Sequence, residues 1–180
     1  MSTTYCTTNK TDFVEKEKQP FVIQKTVEES IVLTLLGLVD TITKKGEVQC
    51  QRFGITMNQY LIMLYLAGDP NIEYIAESAP NRPIVASQLA AALNVSRPNI
   101  TNLLNLLMEK KLISQGRDKG DWRKKPLILT DDGWALLEKM QPRRKRLNEK
   151  LLAQMPVSDR TQFLHCLQKC QDLLMHSELE

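Results

Sequence analysis

Between Ser96 and Gly133 the chain reads SRPNITNLLNLLMEKKLISQGRDKGDWRKKPLILTDDG, and no other stretch restricts the fold so closely. Ile100, Leu103, Leu104 and Leu107 recur at helical spacing, so one face of a helix is apolar and buried. Ser96 is placed to cap that helix, and Pro98 falls in its first turn, where a missing N–H does little harm. Leu112-Ile113 and Pro126-Leu127-Ile128-Leu129 then predict two short strands with a basic segment between them. Upstream, Ser87–Leu93 is a short Ala-rich helix, and Asn94 is a plausible left-handed turn residue before Ser96. The order helix, turn, helix, basic hairpin, helix start is that of a winged helix-turn-helix. The expected fold is mainly α with a small β-hairpin wing (α+β).

The outward side of the helix after Ser96 carries Arg97, Asn99, Thr101, Asn102 and Asn105. Asn pairs bidentately with adenine and Arg with guanine, so these residue types suit base edges in a major groove better than phosphates. The same face can equally be read as a solvated surface over an ordinary core. The hairpin separates the two readings. Arg117, Lys119, Arg123, Lys124 and Lys125 outnumber Asp118 and Asp121 there. A narrow minor groove attracts an inserted Arg, and Asp121 stands two residues before Arg123, where it can orient the guanidinium. The candidate DNA contacts are therefore Ser96 and these outward helix residues, with Arg117, Lys119, Asp121, Arg123, Lys124 and Lys125 of the hairpin.

Ser87–Leu93, Asn94-Val95-Ser96-Arg97, the Leu-rich helix, Lys110-Lys111-Leu112-Ile113, Asp121-Trp122-Arg123 and Leu127-Ile128-Leu129-Thr130-Asp131-Asp132-Gly133 together resemble the MarR family of bacterial transcription regulators. The resemblance is strongest over residues 84–133, and the helix order extends it over about 20–176. It implies a homodimer on a pseudo-palindromic operator, modulated by a small anionic or phenolic ligand or by oxidants. The chain departs from the family pattern in several places. Asn102 stands where Arg or Lys is usual, Gln115-Gly116 where Arg is usual, and Val85 where a Thr cap is usual. Lys111 occupies the point where Gly ordinarily ends the reading helix, so a left-handed Lys or a different helix end is expected. The connection from Gly68 to Pro83 is longer than usual.

The remaining chain fits a helical dimerisation frame around that motif. Residues 1–19 read as a polar tail, 20–54 as a dimerisation helix and loop, 55–133 as the DNA-binding domain and 134–180 as dimerisation helices. The first helix is predicted over about Phe21–Lys45, ended by Gly46, and the second over Ile55–Ala67 behind Thr56. Pro83-Ile84-Val85 could add a third strand. Thr130 should cap a helix beginning at Asp131, Pro142 should kink or break it, and Ser158 should cap the last helix. Val27 and Ile31 on the first helix, and Phe163, Leu167, Cys170 and Leu174 on the last, form stripes too large to leave in water. Packing within one chain could cover them; a two-fold dimer is the expectation. Arg143-Arg144-Lys145-Arg146 could touch flanking DNA but is expected to be a solvated helix face.

Several function classes drop out. There is no Gly-rich phosphate loop, His-Glu metal motif or nucleophile elbow, so the chain is not expected to be an enzyme. The four Cys and two His lack ligand spacing, which leaves no metal and no cofactor to expect. Cys50, taken as lying in a loop beside Arg52, is the best candidate for a reactive thiol. A ligand pocket around Tyr60 and Leu64 is the other candidate switch, though both residues serve equally as core. No signal segment or membrane span is apparent, so a cytoplasmic protein is expected. The alternative to a DNA reader is a winged-helix module that binds protein, and the basic wing argues against it.

Overall fold

Thr26 opens the first helix. Its hydroxyl accepts the Glu29 N–H at 3.1 Å, and Glu28 and Glu29 occupy the first turn, where the helix dipole favours acids. The computed structural model describes residues 25–72, 84–116 and 125–176, so the polar segment 1–19 lies outside the described residues. Helix α1 runs Val27–Gln51 and does not end at Gly46 as predicted. The reason is packing. A Cβ on Gly46 would sit 2.9 Å from Met57 Sδ, so the glycine admits the start of the next helix rather than stopping its own. Glu47 reinforces this approach, its carboxylate accepting the Met57 N–H at 2.6 Å. The chain turns instead at Gly54, whose φ is +73°.

The chain divides into two compact units, one up to Ile42 and one from Thr43 onward. The described part of the first is helical from Val27 and exposes Val27, Ile31, Val32, Leu36 and Val39. The second unit contains the winged motif.

Helix α2 (Met57–Leu66) begins with a reciprocal capping box. Thr56 Oγ1 accepts the Gln59 N–H at 3.2 Å, and the Gln59 side chain accepts the Thr56 N–H at 3.0 Å. Ile62 and Met63 are completely buried at the centre of the core. Helix α3 (Ala86–Ala92) lacks a side-chain cap at Val85, and Gln88 compensates by accepting the Val85 N–H at 3.0 Å. Asn94 makes the expected left-handed turn, with φ +49°. Helix α4 (Arg97–Glu109) follows and buries Ile100, Leu103, Leu104 and Leu107 against α2 and α3.

The end of α4 settles how a lysine replaces a glycine. Lys111 takes φ +57°, Leu112 N–H reaches the Leu107 carbonyl at 3.0 Å, and Lys111 N–H reaches Met108 at 2.9 Å. These are the two bonds of a Schellman ending, made with a residue that pays for its Cβ in strain. Strands β1 (Ile113–Gln115) and β2 (Leu127–Leu129) then pair antiparallel, Ile113 opposite Leu129 and Gln115 opposite Leu127. The suggested third strand amounts, among the described residues, to one bond from Leu127 N–H to the Ile84 carbonyl at 2.9 Å.

Thr130 caps helix α5 (Asp131–Leu151), its hydroxyl accepting the Gly133 N–H at 3.1 Å. Helix α5 continues through Pro142 without the predicted break. Pro142 and Glu138 are both exposed, so the carbonyl that Pro leaves unbonded lies at the surface, where water satisfies it. Helix α6 (Val157–His176) starts one residue ahead of Ser158, which is therefore inside the first turn and not its cap. The Pro156 carbonyl accepts from Asp159 and Arg160, both at 3.1 Å. Among the described residues no helix is long and apolar enough to cross a membrane, and no group of three His, Cys, Asp or Glu could hold a metal.

Candidate nucleic-acid interface

Helix α4 is held on three sides. Its start is fixed by Ser96, whose Oγ accepts the Asn99 N–H at 3.4 Å. Its apolar face packs into the core, where Leu107 is wholly buried. Its end is tied down by Lys110, whose ammonium donates to the Gly54 carbonyl and, at 3.5 Å, to the Gln59 side chain. What remains is an outward strip. Arg97, Asn99, Thr101, Asn102 and Asn105 are all exposed, as the sequence periodicity requires. Thr101 turns its hydroxyl proton back to the Arg97 carbonyl at 2.9 Å, which leaves its oxygen free to accept. Among the described residues nothing binds the side-chain amides of Asn99, Asn102 and Asn105. An exposed amide with both a donor and an acceptor unused can pair with a base edge without first giving up a protein contact.

The hairpin springs from the end of this helix. Gly116 N–H bonds to the Pro126 carbonyl at 2.7 Å, closing the ladder beyond Gln115 and Leu127. Lys125 is exposed at its base. Arg117, Lys119, Asp121, Arg123 and Lys124 lie outside the described residues.

A knot at Thr130 joins the hairpin, the end of α4 and α5. The Thr130 hydroxyl donates to the Lys111 carbonyl at 2.6 Å while accepting from Gly133, and its backbone N–H reaches the Leu112 carbonyl at 3.2 Å. Gly133 is required here: a Cβ would fall 2.2 Å from the Leu112 oxygen.

The other candidate residues fall into place less uniformly. Tyr60 and Leu64 are both buried within the core of the winged motif. Burial raises the Tyr60 pKa, only partly opposed by the neighbouring Arg144. Val27 and Ile31 are 71% and 54% exposed, and Leu174 is 62% exposed; Phe163 and Cys170 are exposed and Leu167 half-buried. Cys50 is not in a loop. It lies in the last turn of α1, buried, with its Sγ 3.9 Å from Met57 Sδ. Burial, helped by the Glu47 charge, pushes its thiol up to about 11, which removes the thiolate a sensor needs.

The basic tetrad is not one solvated face either. Arg144 pairs with Asp69 at 2.5 Å, beyond the end of α2, and Asp69 keeps only 7% of its side chain exposed. Arg143 lies over the Phe53 ring, 5.4 Å from its centroid. Lys145 and Arg146 are exposed. Nothing in local spacing announces the Arg144–Asp69 pair, because its members are far apart in sequence. Lys110 was missed for the same reason.

Comparison with known proteins agrees with this architecture. The family model described as "MarR family" matches residues 53–124. A curated relative, the HTH-type transcriptional repressor NicR of Pseudomonas putida, is 29% identical over 90 residues, covering 50% of this chain and 57% of that protein. The matched part thus spans little more than half of that relative. Among solved structures, the Staphylococcus aureus MepR–DNA complex superposes with a TM-score of 0.66 at 23% identity, covering 83% of this chain and 99% of MepR. Staphylococcus aureus MarR in complex with salicylate and kanamycin gives 0.65 at 18% identity, covering 83% and 93%. At these identities the likeness is one of fold.

Proposed function

From the match of residues 53–124 to the MarR family model we propose that the chain is a transcription regulator that reads double-stranded DNA as a homodimer. The observation that carries the reading is the exposed row Arg97, Asn99, Thr101, Asn102 and Asn105 on a helix capped at both ends and fixed beside a hairpin. Helix α4 enters a major groove, and the basic hairpin residues, Arg123 oriented by Asp121 among them, take the neighbouring minor groove or backbone. Asn99 and Asn102, nearest the N-terminal end, contact base edges. Ser96, Arg117, Lys119, Lys124 and Lys125 position the domain on phosphates.

Two such domains bind a pseudo-palindrome when their helices stand about 34 Å apart, one DNA turn. The exposed residues Val27, Ile31, Phe163, Cys170 and Leu174, with the half-buried Leu167, supply the dimer seam. A small effector that alters dimer geometry then shifts both reading helices at once. A repressor fits the name of the curated relative given above.

Selection of bound sequences from random duplex DNA tests the reading. The enriched site should be a two-fold repeat. Asn99→Ala or Asn102→Ala should weaken cognate binding by about 1–3 kcal/mol and relax preference at one base pair each, leaving non-specific binding nearly unchanged. Affinity should fall steeply with salt. Full sequence preference in both variants removes α4 as the reader.

A further inference from the structure

The turn between α1 and α2 is gripped by cations from two other helices. From the C-cap of α4, the Lys110 ammonium donates to the Gly54 carbonyl and, at 3.5 Å, to the Gln59 side-chain oxygen. From α5, Lys139 Nζ lies 5.9 Å and the Arg143 guanidinium 5.4 Å from the centroid of the Phe53 ring. Gly54 makes the turn at φ +73°, and Glu47, still on α1, accepts the first N–H of α2. Phe53 and Gly54 therefore seat the end of α4 and the middle of α5 beside the end of α1. Both α1 and α5 lead on to residues proposed for the dimer seam, α1 to Val27 and Ile31 and α5 to those of α6.

Lys110 is turned inward. Two of its three donors meet protein oxygens, and neither partner is a carboxylate. Gly54 is exposed, so water can replace the ammonium on its carbonyl. Gln59 is only 1% exposed, but its side-chain oxygen also accepts the Thr56 N–H at 3.0 Å. Losing the ammonium thus leaves no buried polar atom without a partner. What it removes is direction. The apolar face of α4 packs without directional bonds, and Thr130 ties the end of α4 to the hairpin and α5. Lys110 ties that end to the turn after α1 by bonds that hold a distance and an angle.

We infer that Lys110 is a positioning residue for DNA reading: without touching DNA, it fixes the end of α4 to the Phe53-Gly54 turn and so sets how far apart the two reading helices of the dimer stand. The inference rests on the dimeric DNA reader proposed above. One base pair added between half-sites moves one of them by about 3.4 Å along the duplex and turns it by about 35°. A reading helix held by directional bonds at its end rejects that change; one held by apolar packing tolerates it.

The test uses the full chain and the two-fold site selected from random duplex DNA, with one base pair added or removed between its half-sites. Wild type should lose about tenfold or more in affinity on either altered duplex, as for a mismatched base pair. Lys110→Met keeps the apolar stem and loses the donor. It should bind the selected site about tenfold more weakly and separate the three spacings by less than about threefold. Its dependence of affinity on salt and its urea midpoint should stay at wild-type values. Asn99→Ala, which loses a base contact instead, should keep the full spacing preference. A sharp spacing preference in Lys110→Met, or a wild type indifferent to spacing, overturns the inference. So does loss of folding in the variant, which marks a structural residue, or a salt slope reduced by about one, which marks a phosphate contact. A wild-type chain that selects no two-fold site overturns the reading function itself, and the positioning role with it.

Discussion

Replacing Gly133 with Ala isolates the contact on which the junction of hairpin and α5 depends. The added Cβ would lie 2.2 Å from the Leu112 carbonyl oxygen and 3.1 Å from Leu129 Cδ2. The first neighbour is backbone, and its oxygen also accepts the Thr130 N–H at 3.2 Å. Relief therefore requires the chain to move by about 1 Å, at an overpacking cost of about 1–3 kcal/mol. Weakening the Thr130 bond adds about 1 kcal/mol. Ala is the better helix former by about 1 kcal/mol, which offsets part of this. The net is a loss of about 1–3 kcal/mol, or a melting temperature lower by roughly 2–10 °C in a chain of this length. Urea unfolding followed by circular dichroism measures it. Gly37→Ala is the matching control. It sits inside α1, a Cβ there meets nothing within 4 Å, and it lies about 120° around the helix from Ile31. That variant should gain up to about 1 kcal/mol. If both variants move the midpoint the same way, the close approach at Leu112 does not govern stability.

Three further outcomes follow from named residues. Lys111→Gly should stabilise by about 0.5–1 kcal/mol, because relief of a left-handed Lys outweighs the extra freedom glycine gives the unfolded chain; an unchanged urea midpoint would contradict the strain. Asp69→Asn should cost about 1–2 kcal/mol at pH 7, discounted because Arg144 is partly exposed. Burial works to raise the Asp69 pKa, but hydrogen bonds from Asn71 and Arg144 and the Arg144 charge hold it below its ordinary value. That stability is therefore full above the usual carboxylate pKa of about 4 and is lost as pH falls through the lower folded value. The gap between variant and wild type should close in acid, and a gap that persists would refute the pairing. Iodoacetamide at pH 8 should label Cys166 in the folded protein and Cys50 only on unfolding, read by peptide mass; rapid labelling of Cys50 would restore it as a sensor.

The elements read best from sequence are those whose cause is local. The face Ile100, Leu103, Leu104, Leu107 and the cap residues Ser96, Thr56 and Thr130 depend on neighbours within one or two turns. Lys111 was legible as a misfit, because the geometry at that point wants positive φ whatever residue stands there. Gly46 misled because a glycine that punctuates and a glycine that admits a neighbour look alike until Met57 is placed against it. Cys50 went astray with it, since ending α1 early put the thiol in a loop. The basic tetrad looks like one face in sequence because a run of like charges shows no partners; Asp69 and Phe53 reach it only through the tertiary fold.

The Thr130 knot makes the wing a replaceable cassette. Leu112 and Thr130 are clamped to each other and to the ends of α4 and α5, while residues 117–124 fall in sequence between β1 and β2. Lengthening a chain segment whose ends are already held costs little, about 0.6 kcal/mol per doubling. On the proposed DNA-reading function, new charges or extra residues in that segment would retune which DNA flanks are touched while the clamp between α4 and α5 stays as it is. On that same proposal, flank preference and base preference would be separately adjustable, over evolutionary time or by an engineer, the first in the hairpin and the second on the outward strip of α4.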